Sequence, residues 1–258
     1  ILFSISTDII LIILSRLNRK IKQKTFELED LNSQKDKLFS IISHDLKSPL
    51  NTLQSLLDLY NIEAVNDVDF LKYKTEINGS INEISNNLNN ILLWASKSMK
   101  SGVKVENSIF DLTDLINDIV DQSSVQIKNK NLKLSFDNQF SKIINADRNM
   151  LFVVISNLIN NAVKFTPNNK SIIIKTYQLL PSDIQIEIED QGIGIAKDKL
   201  DSIFTFNASK STMGTSGEKG TGLGLIICND FIKLMGGTIV VESEINIGSK
   251  FTISLPIV

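Results

Sequence analysis

From Ile1 to Leu14 the chain is mostly apolar, with Ile9 to Leu14 uninterrupted and Asp8 the one charge. Arg16, Arg19, Lys20, Lys22 and Lys24 follow at once. A bilayer takes about twenty apolar residues to span, and this run is shorter. An apolar run with basic residues after it is the order expected where a transmembrane helix leaves the membrane on the cytoplasmic side. A cleaved signal peptide places its charges before the run, and a core-packing helix is the third reading. The chain starts at Ile1 rather than Met, as expected of a piece of a longer protein. Residues 1–17 are therefore expected to be the end of a transmembrane helix.

The next apolar positions fall at helical spacing. Ile21, Leu28 and Ile42 share one heptad register, with Leu31 and Leu38 at the coiled-coil offset; Lys24 and Lys35 interrupt the seam. This predicts a loose coiled-coil linker over 18–38. Pro49 removes a backbone donor inside the same pattern and predicts a kink. The stripe resumes at Leu50, Leu53, Leu56, Leu57 and Tyr60, and polar residues 61–69 predict a turn. A second helix follows, with Phe70, Leu71, Ile77, Ile81, Ile84, Leu88, Ile91, Leu92 and Ala95 at threes and fours. Two long amphipathic helices in a hairpin, 39–100, cannot bury their stripes alone. Two copies forming a four-helix bundle solve this, so a homodimer is expected.

Past Gly102 the pattern turns mixed. Strands are predicted at 108–111, 133–137, 143–146, 172–178, 184–190, 238–243 and 250–255. Helices are predicted at 112–129, 147–164, 197–203 and 222–235. This order suggests a mixed or antiparallel sheet covered by helices on one face, an α/β sandwich over 103–258. The fold class is thus multidomain: α, then α+β.

Composition narrows the chemistry. Lys plus Arg number 27 against 29 Asp plus Glu, for a net charge of −2, so no nucleic-acid partner is expected. One Cys excludes an internal disulfide and a Cys-built zinc site. One His, His44, excludes any site needing two imidazoles. Either His44 is incidental or it alone carries imidazole chemistry.

His44, Asp45 and Ser48 fall off the buried stripe formed by Ile41, Ile42, Leu46 and Leu50, and His44 and Ser48 share one helix face. A solvated surface histidine is one reading. The other is an imidazole whose neighbouring carboxylate, Asp45, keeps one ring nitrogen protonated and leaves the second as a lone pair. On the predicted helix 147–164, Asn157, Asn161 and Lys164 also share a face. That trio is either a solvated face or a metal–polyphosphate surface, since amide oxygens ligate Mg²⁺ and an ammonium meets phosphate. Asp190 ends a strand just before Gly192 and Gly194, which makes either a plain turn or an acceptor for an exocyclic amine such as that of adenine. Gly214, Gly217, Gly220, Gly222 and Gly224 lie in one small, polar stretch leading into a helix, which suits a phosphate-binding lid. It is neither a Walker A string nor a Rossmann loop.

Taken together, these segments resemble the sensor histidine kinases of bacterial two-component systems over roughly residues 20–258. SHDLKSPL at 43–50 is similar to that family's H-box, NLINNAVKFTP at 157–167 to its N-box, and DQGIGI at 190–195 to its G1 box. IFTF at 203–206 resembles a shortened F-box, and GTGLGL at 220–225 the G2 box. The resemblance implies a dimerisation and phosphotransfer hairpin followed by an ATP-binding sandwich of the Hsp90, gyrase and MutL type. It implies His44 as phosphoryl acceptor, Asp45 as its acid/base neighbour, and Ser48 at a position that supports phosphatase activity. It further implies Asn161 on Mg²⁺ with Asn157 beside it, and Lys164 on phosphate. Asp190 would meet the adenine amine, with Gly192 and Gly194 shaping that wall and Gly220, Gly222 and Gly224 serving the lid and phosphate end. Departures are Lys47 and Ser48 for the usual Arg and Thr, the missing Pro-Phe near Phe204 and Phe206, Leu234-Met235 before Gly236-Gly237, and Asn246 where Gly is common.

The expected function is a membrane-bound, ATP-dependent protein-histidine kinase, cytoplasmic beyond its membrane segment, with a response regulator's receiver domain as partner and ATP and Mg²⁺ as cofactors. The alternatives are an ATPase clamp of the same superfamily, which needs no histidine before the sandwich, and a phosphatase-only signalling scaffold.

Overall fold

The computed structural model describes residues 14–26, 28–29, 50, 54–55, 58, 77, 81, 105–139, 143–180, 183–205, 212–216 and 222–256. His44, Asp45, Ser48, the kink at Pro49, the hairpin turn and Gly220 lie outside the described residues. The chain divides into two units, Ile1–Asn87 and Leu88–Val258. In the first, residues 14–26 are helical and exposed. No helix among the described residues is long and apolar enough to cross a membrane.

The second unit holds β1 (Ser108–Asp111), α1 (Leu112–Gln122), α2 (Ser124–Asn129), β2 (Lys133–Asn138), β3 (Ile143–Ala146) and α3 (Arg148–Phe165). Then come β4 (Ser171–Leu180), β5 (Asp183–Asp190), α4 (Lys197–Leu200), α5 (Gly224–Leu234), β6 (Thr238–Glu244) and β7 (Gly248–Pro256). Five strands form one sheet in the order β2–β4–β5–β7–β6. β2 runs parallel to β4 and every other pair is antiparallel, so the sheet is mixed, as expected. β1 and β3 form a separate two-stranded antiparallel ribbon, which local pattern did not predict.

Alternation explains how the sheet is covered. In β5, Ile184, Ile186, Ile188 and Asp190 are buried while the residues between them are half-buried. The buried side meets α3, which contributes Leu151, Val154, Ile155, Leu158, Ile159 and Val163 to the core. α5 packs on both α3 and β6 and adds Ile226, Ile227, Phe231 and Ile232. Burial stabilises the fold by about 1.5–3 kcal/mol per such side chain.

Three helix boundaries differ from expectation. The predicted helix 112–129 breaks at Ser123, whose hydroxyl lies 3.3 Å from Ile119 O and 3.2 Å from Asn160 Oδ1. A serine side chain that competes for backbone carbonyls favours such a break. α4 stops at Leu200 and continues as turns. α5 starts at Gly224 rather than 222, because Gly222 has φ +72°.

Candidate functional site

The site is organised on α3. Asp147 caps its start: Oδ1 accepts from Asn149 N at 3.1 Å and Met150 N at 3.0 Å, and Oδ2 accepts from Glu106 N at 3.0 Å. The buried stripe of α3 fixes the rotation of the helix, which leaves Asn157, Asn161 and Lys164 half-buried along its other side. Asn157 donates through Nδ2 to Val153 O at 2.9 Å. Its Oδ1 faces α5: a Cβ built on Gly224 would stand 2.7 Å from that oxygen. Gly224 is thus where the glycine stretch comes down onto the asparagine face. The Asn161 side chain makes no hydrogen bond among the described residues. Lys164 Nζ lies 5.0 Å from the centroid of the Phe165 ring.

Asp190 ends β5 and is 7% exposed. Its Oδ1 accepts from Gly192 N at 2.8 Å and from Ser249 N at 3.2 Å. Its Oδ2 takes no hydrogen bond among the described residues. Burial pushes the carboxyl up to about 6, against the two backbone donors that pull it down, and Glu189 adds repulsion. One oxygen is therefore held by the protein, and the other is left to accept from a ligand.

The turn after Asp190 is wedged between two elements. Ile193 N donates to Phe165 O at the end of α3 (3.1 Å), and Asn246 N donates to Ile193 O (2.9 Å). A Cβ on Gly192 would stand 2.7 Å from Phe165 O. At Gly194, φ is +68° and a Cβ would fall on the carbonyl of Glu244; at Gly248, φ is +144° and a Cβ would fall on that of Asp190. Only glycine fits either position. Asn246 stands in the left-handed region at φ +64°, a conformation that Asn tolerates, so this departure from the family's usual Gly keeps the turn.

Three contributors escaped sequence reasoning. Ser249 faces Asp190 across the β5–β7 pair, and its Oγ lies 2.9 Å from Ser243 Oγ. Ser243 in turn accepts from Ile195 N at 2.8 Å. Lys130 and Thr215 meet at the end of α3. The strand predicted at 250–255 stops short of Ser249; for Lys130 and Thr215 the sequence carries no signal, since their partners are 33 to 85 positions away. Phe204 is half-buried in the turns after α4, and Phe206 lies outside the described residues.

The donor set suits a nucleotide. A single-sided carboxylate beside crowded glycines fits a base amine, while amides and an ammonium fit phosphates. Among the described residues no group of three or more His, Cys, Asp or Glu could hold a metal by itself. A Mg²⁺ held by one amide oxygen and by substrate phosphates is the arrangement these residues allow.

A mixed five-stranded sheet lies under α3 and α5, with Asn157, Asn161 and Lys164 on α3, Asp190 at the end of β5 and Gly224 at the start of α5. Residues 146–258 match the family described as histidine kinase-, DNA gyrase B-, and HSP90-like ATPase. The chain is 31% identical to the adaptive-response sensory kinase SasA of Gloeothece citriformis, over 92% of this chain and 62% of that protein. It is 32% identical to the aerobic respiration control sensor protein ArcB of Escherichia coli K12, over 88% of this chain and 29% of that protein. The chain thus spans under two thirds of the length of these curated relatives. The catalytic domain of histidine kinase ThkA superposes with a TM-score of 0.51 at 27% identity, covering 58% of this chain and 95% of that one. Two further structures share the fold at a TM-score of 0.60. One is ThkA in complex with response regulator protein TrrA (21% identity, 85% of this chain, 61% of that chain). The other is full-length ShkA in complex with AMPPNP (20% identity, 86% and 46%). This region of the chain is a histidine kinase ATP-binding domain.

Proposed function

We propose that the chain is the kinase core of a membrane sensor histidine kinase. It binds Mg-ATP on residues 103–258, takes the γ-phosphoryl group on His44, and passes it to an aspartate of a response regulator. The observation that carries this reading is the half-satisfied carboxylate of Asp190, tied through Ile193 and Phe165 to the helix that bears Asn157, Asn161 and Lys164.

Asp190 Oδ2 accepts from the adenine amine, and Gly192 and Gly194 let the base approach. Asn161 supplies an amide oxygen to Mg²⁺, with Asn157 beside it, and Lys164 balances phosphate charge; Gly220, Gly222 and Gly224 line the phosphate end. Mg²⁺, when bound, neutralises charge on the phosphate oxygens. A ring nitrogen of His44 attacks the γ-phosphorus: an N–P bond forms, the P–O bond to ADP breaks, and Asp45 holds the proton on the other ring nitrogen. Positioning and charge neutralisation dominate such a transfer. Ser48, four residues after His44, supports phosphatase activity toward the partner, in which water takes the phosphoryl group from the response regulator's aspartate.

The hairpin at 39–100 forms a four-helix bundle with a second copy, preceded by a coiled-coil linker at 18–38 and a membrane segment at 1–17, with the rest cytoplasmic. Heptad spacing and the apolar-then-basic order support this arrangement. The TrrA complex of a protein sharing the fold supports the response-regulator partner, and the AMPPNP complex of another supports ATP.

The test is incubation with γ-labelled ATP. Acid-labile, base-stable label is expected on the wild-type chain and none on His44→Gln. Label on that variant would remove His44 from its role.

A further inference from the structure

We propose that Thr215, seated by Lys130, is a positioning residue for the phosphate end of the nucleotide. The proposal rests on the ATP-site reading above and goes beyond the motifs that support it.

Lys130 is 7% exposed. Its ammonium donates to Val163 O and Lys164 O, both at 2.9 Å, and to Thr215 Oγ1 at 2.8 Å. The first two are last-turn carbonyls of α3, where a cation is favoured by the helix dipole and offsets part of its own burial. Capping α3 requires only those two. The third bond reaches out of the helix to a residue of the glycine-rich stretch. Thr215 N donates to Lys164 O at 3.1 Å, and its hydroxyl lies 3.0 Å from Lys164 O and 3.2 Å from Thr166 O. With Lys130 donating to the hydroxyl oxygen, the Thr215 proton is free to point at these carbonyls.

Three consecutive carbonyls at the end of α3 are thereby divided between the two walls of the site. Lys164 O and Thr166 O hold Thr215, and Phe165 O, between them, holds Ile193 of the Asp190 turn. Thr215 is anchored on the backbone of Lys164, whose side chain is the candidate phosphate contact. The clasp therefore pre-orders residues 212–216 beside the phosphates, an ordering cost that binding would otherwise bear. It makes no contact with the base wall's carboxylate.

The test uses the whole chain as wild type, Thr215→Val and Thr215→Ser, titrated calorimetrically with a non-hydrolysable Mg-ATP analogue and with adenosine. Thr215→Val removes the hydroxyl and keeps the shape. It is expected to weaken the analogue about 5- to 10-fold, as loss of a hydrogen-bonding group does, and to leave adenosine within about twofold. Thr215→Ser is expected to restore analogue binding. Hydrogen exchange at the Thr215 amide is expected to speed up in Thr215→Val and not in Thr215→Ser. Unchanged analogue affinity or unchanged amide exchange in Thr215→Val overturns the proposal. So does an equal loss for adenosine and analogue, which would make Thr215 a support of the fold only. Should the wild type bind neither ligand, the ATP-site reading itself falls, an outcome distinct from wild-type binding that Thr215→Val leaves intact.

Discussion

Asp190 shows how one residue can carry opposing pH dependences. Its carboxyl is raised from 3.8 to about 6, chiefly by burial. Because the folded state raises this value, folding favours the protonated form. The associated stability is full below about pH 4 and is lost as pH rises through 6. The proposed base recognition would run the other way, since an ionised Oδ2 is the better acceptor for an amine. Adenosine affinity is therefore expected to rise between pH 5 and about pH 7, the range set by that raised value. Asp190→Asn should weaken adenosine by about tenfold or more and abolish the slope. With the amide oxygen held by Gly192 N and Ser249 N, the variant turns its NH₂ donors toward the base amine. A pH slope that survives in Asp190→Asn would assign the titration to another group. Gly194 acts through space rather than charge. Gly194→Ala puts a methyl on the Glu244 carbonyl at a positive φ, so a loss of about 2 kcal/mol or more is expected in denaturant unfolding.

At the scale of elements, α3 ties the site to the fold. One face packs against β5 and α5, its start is capped by Asp147, and its last carbonyls hold both Thr215 and the turn after Asp190. Asp147→Ala removes the acceptor for two helix amides and for Glu106 N, and a cost of about 1–2 kcal/mol is expected in urea unfolding. Nucleotide affinity should weaken less than stability does, because the cap lies at the far end of α3 from Lys164. This helix was legible in the sequence because Leu151, Val154, Ile155 and Leu158 repeat at its own period and Asp147 is a capping residue. Asp190 was legible because β5 alternates cleanly up to it. Ser249 was not, since its place beside Asp190 depends on the β5–β7 register, a pairing 59 residues apart that no local pattern encodes. The break at Ser123 was missed because helical period continues across it; what breaks the helix is a hydroxyl competing for Ile119 O and Asn160 Oδ1. The β1–β3 ribbon reads locally as two strands, and nothing in either says that they leave the main sheet.

In the molecule as a whole, binding and acceptance of phosphate are expected to reside in separate parts of one chain. Every buried hydrophobic side chain among the described residues lies between Leu112 and Leu255. That core is closed by its own sheet and helices, so residues 103–258 should fold and bind nucleotide without the rest. The ThkA catalytic domain, a chain of similar extent, supports the same division. The single histidine of the sequence lies at 44, outside that piece. A fragment 103–258 is therefore expected to bind Mg-ATP with an affinity within about threefold of the whole chain, a difference below 1 kcal/mol. It is also expected to take no acid-labile label from γ-labelled ATP, while the whole chain takes it. Calorimetry and a filter-binding assay on the same two preparations decide the matter. Acid-labile label on the fragment would mean that a group other than an imidazole accepts the phosphoryl. Loss of nucleotide binding on truncation would mean that residues before 103 complete the ATP site. Retained binding with no label would leave His44 as the group that turns an ATP-binding domain into a kinase.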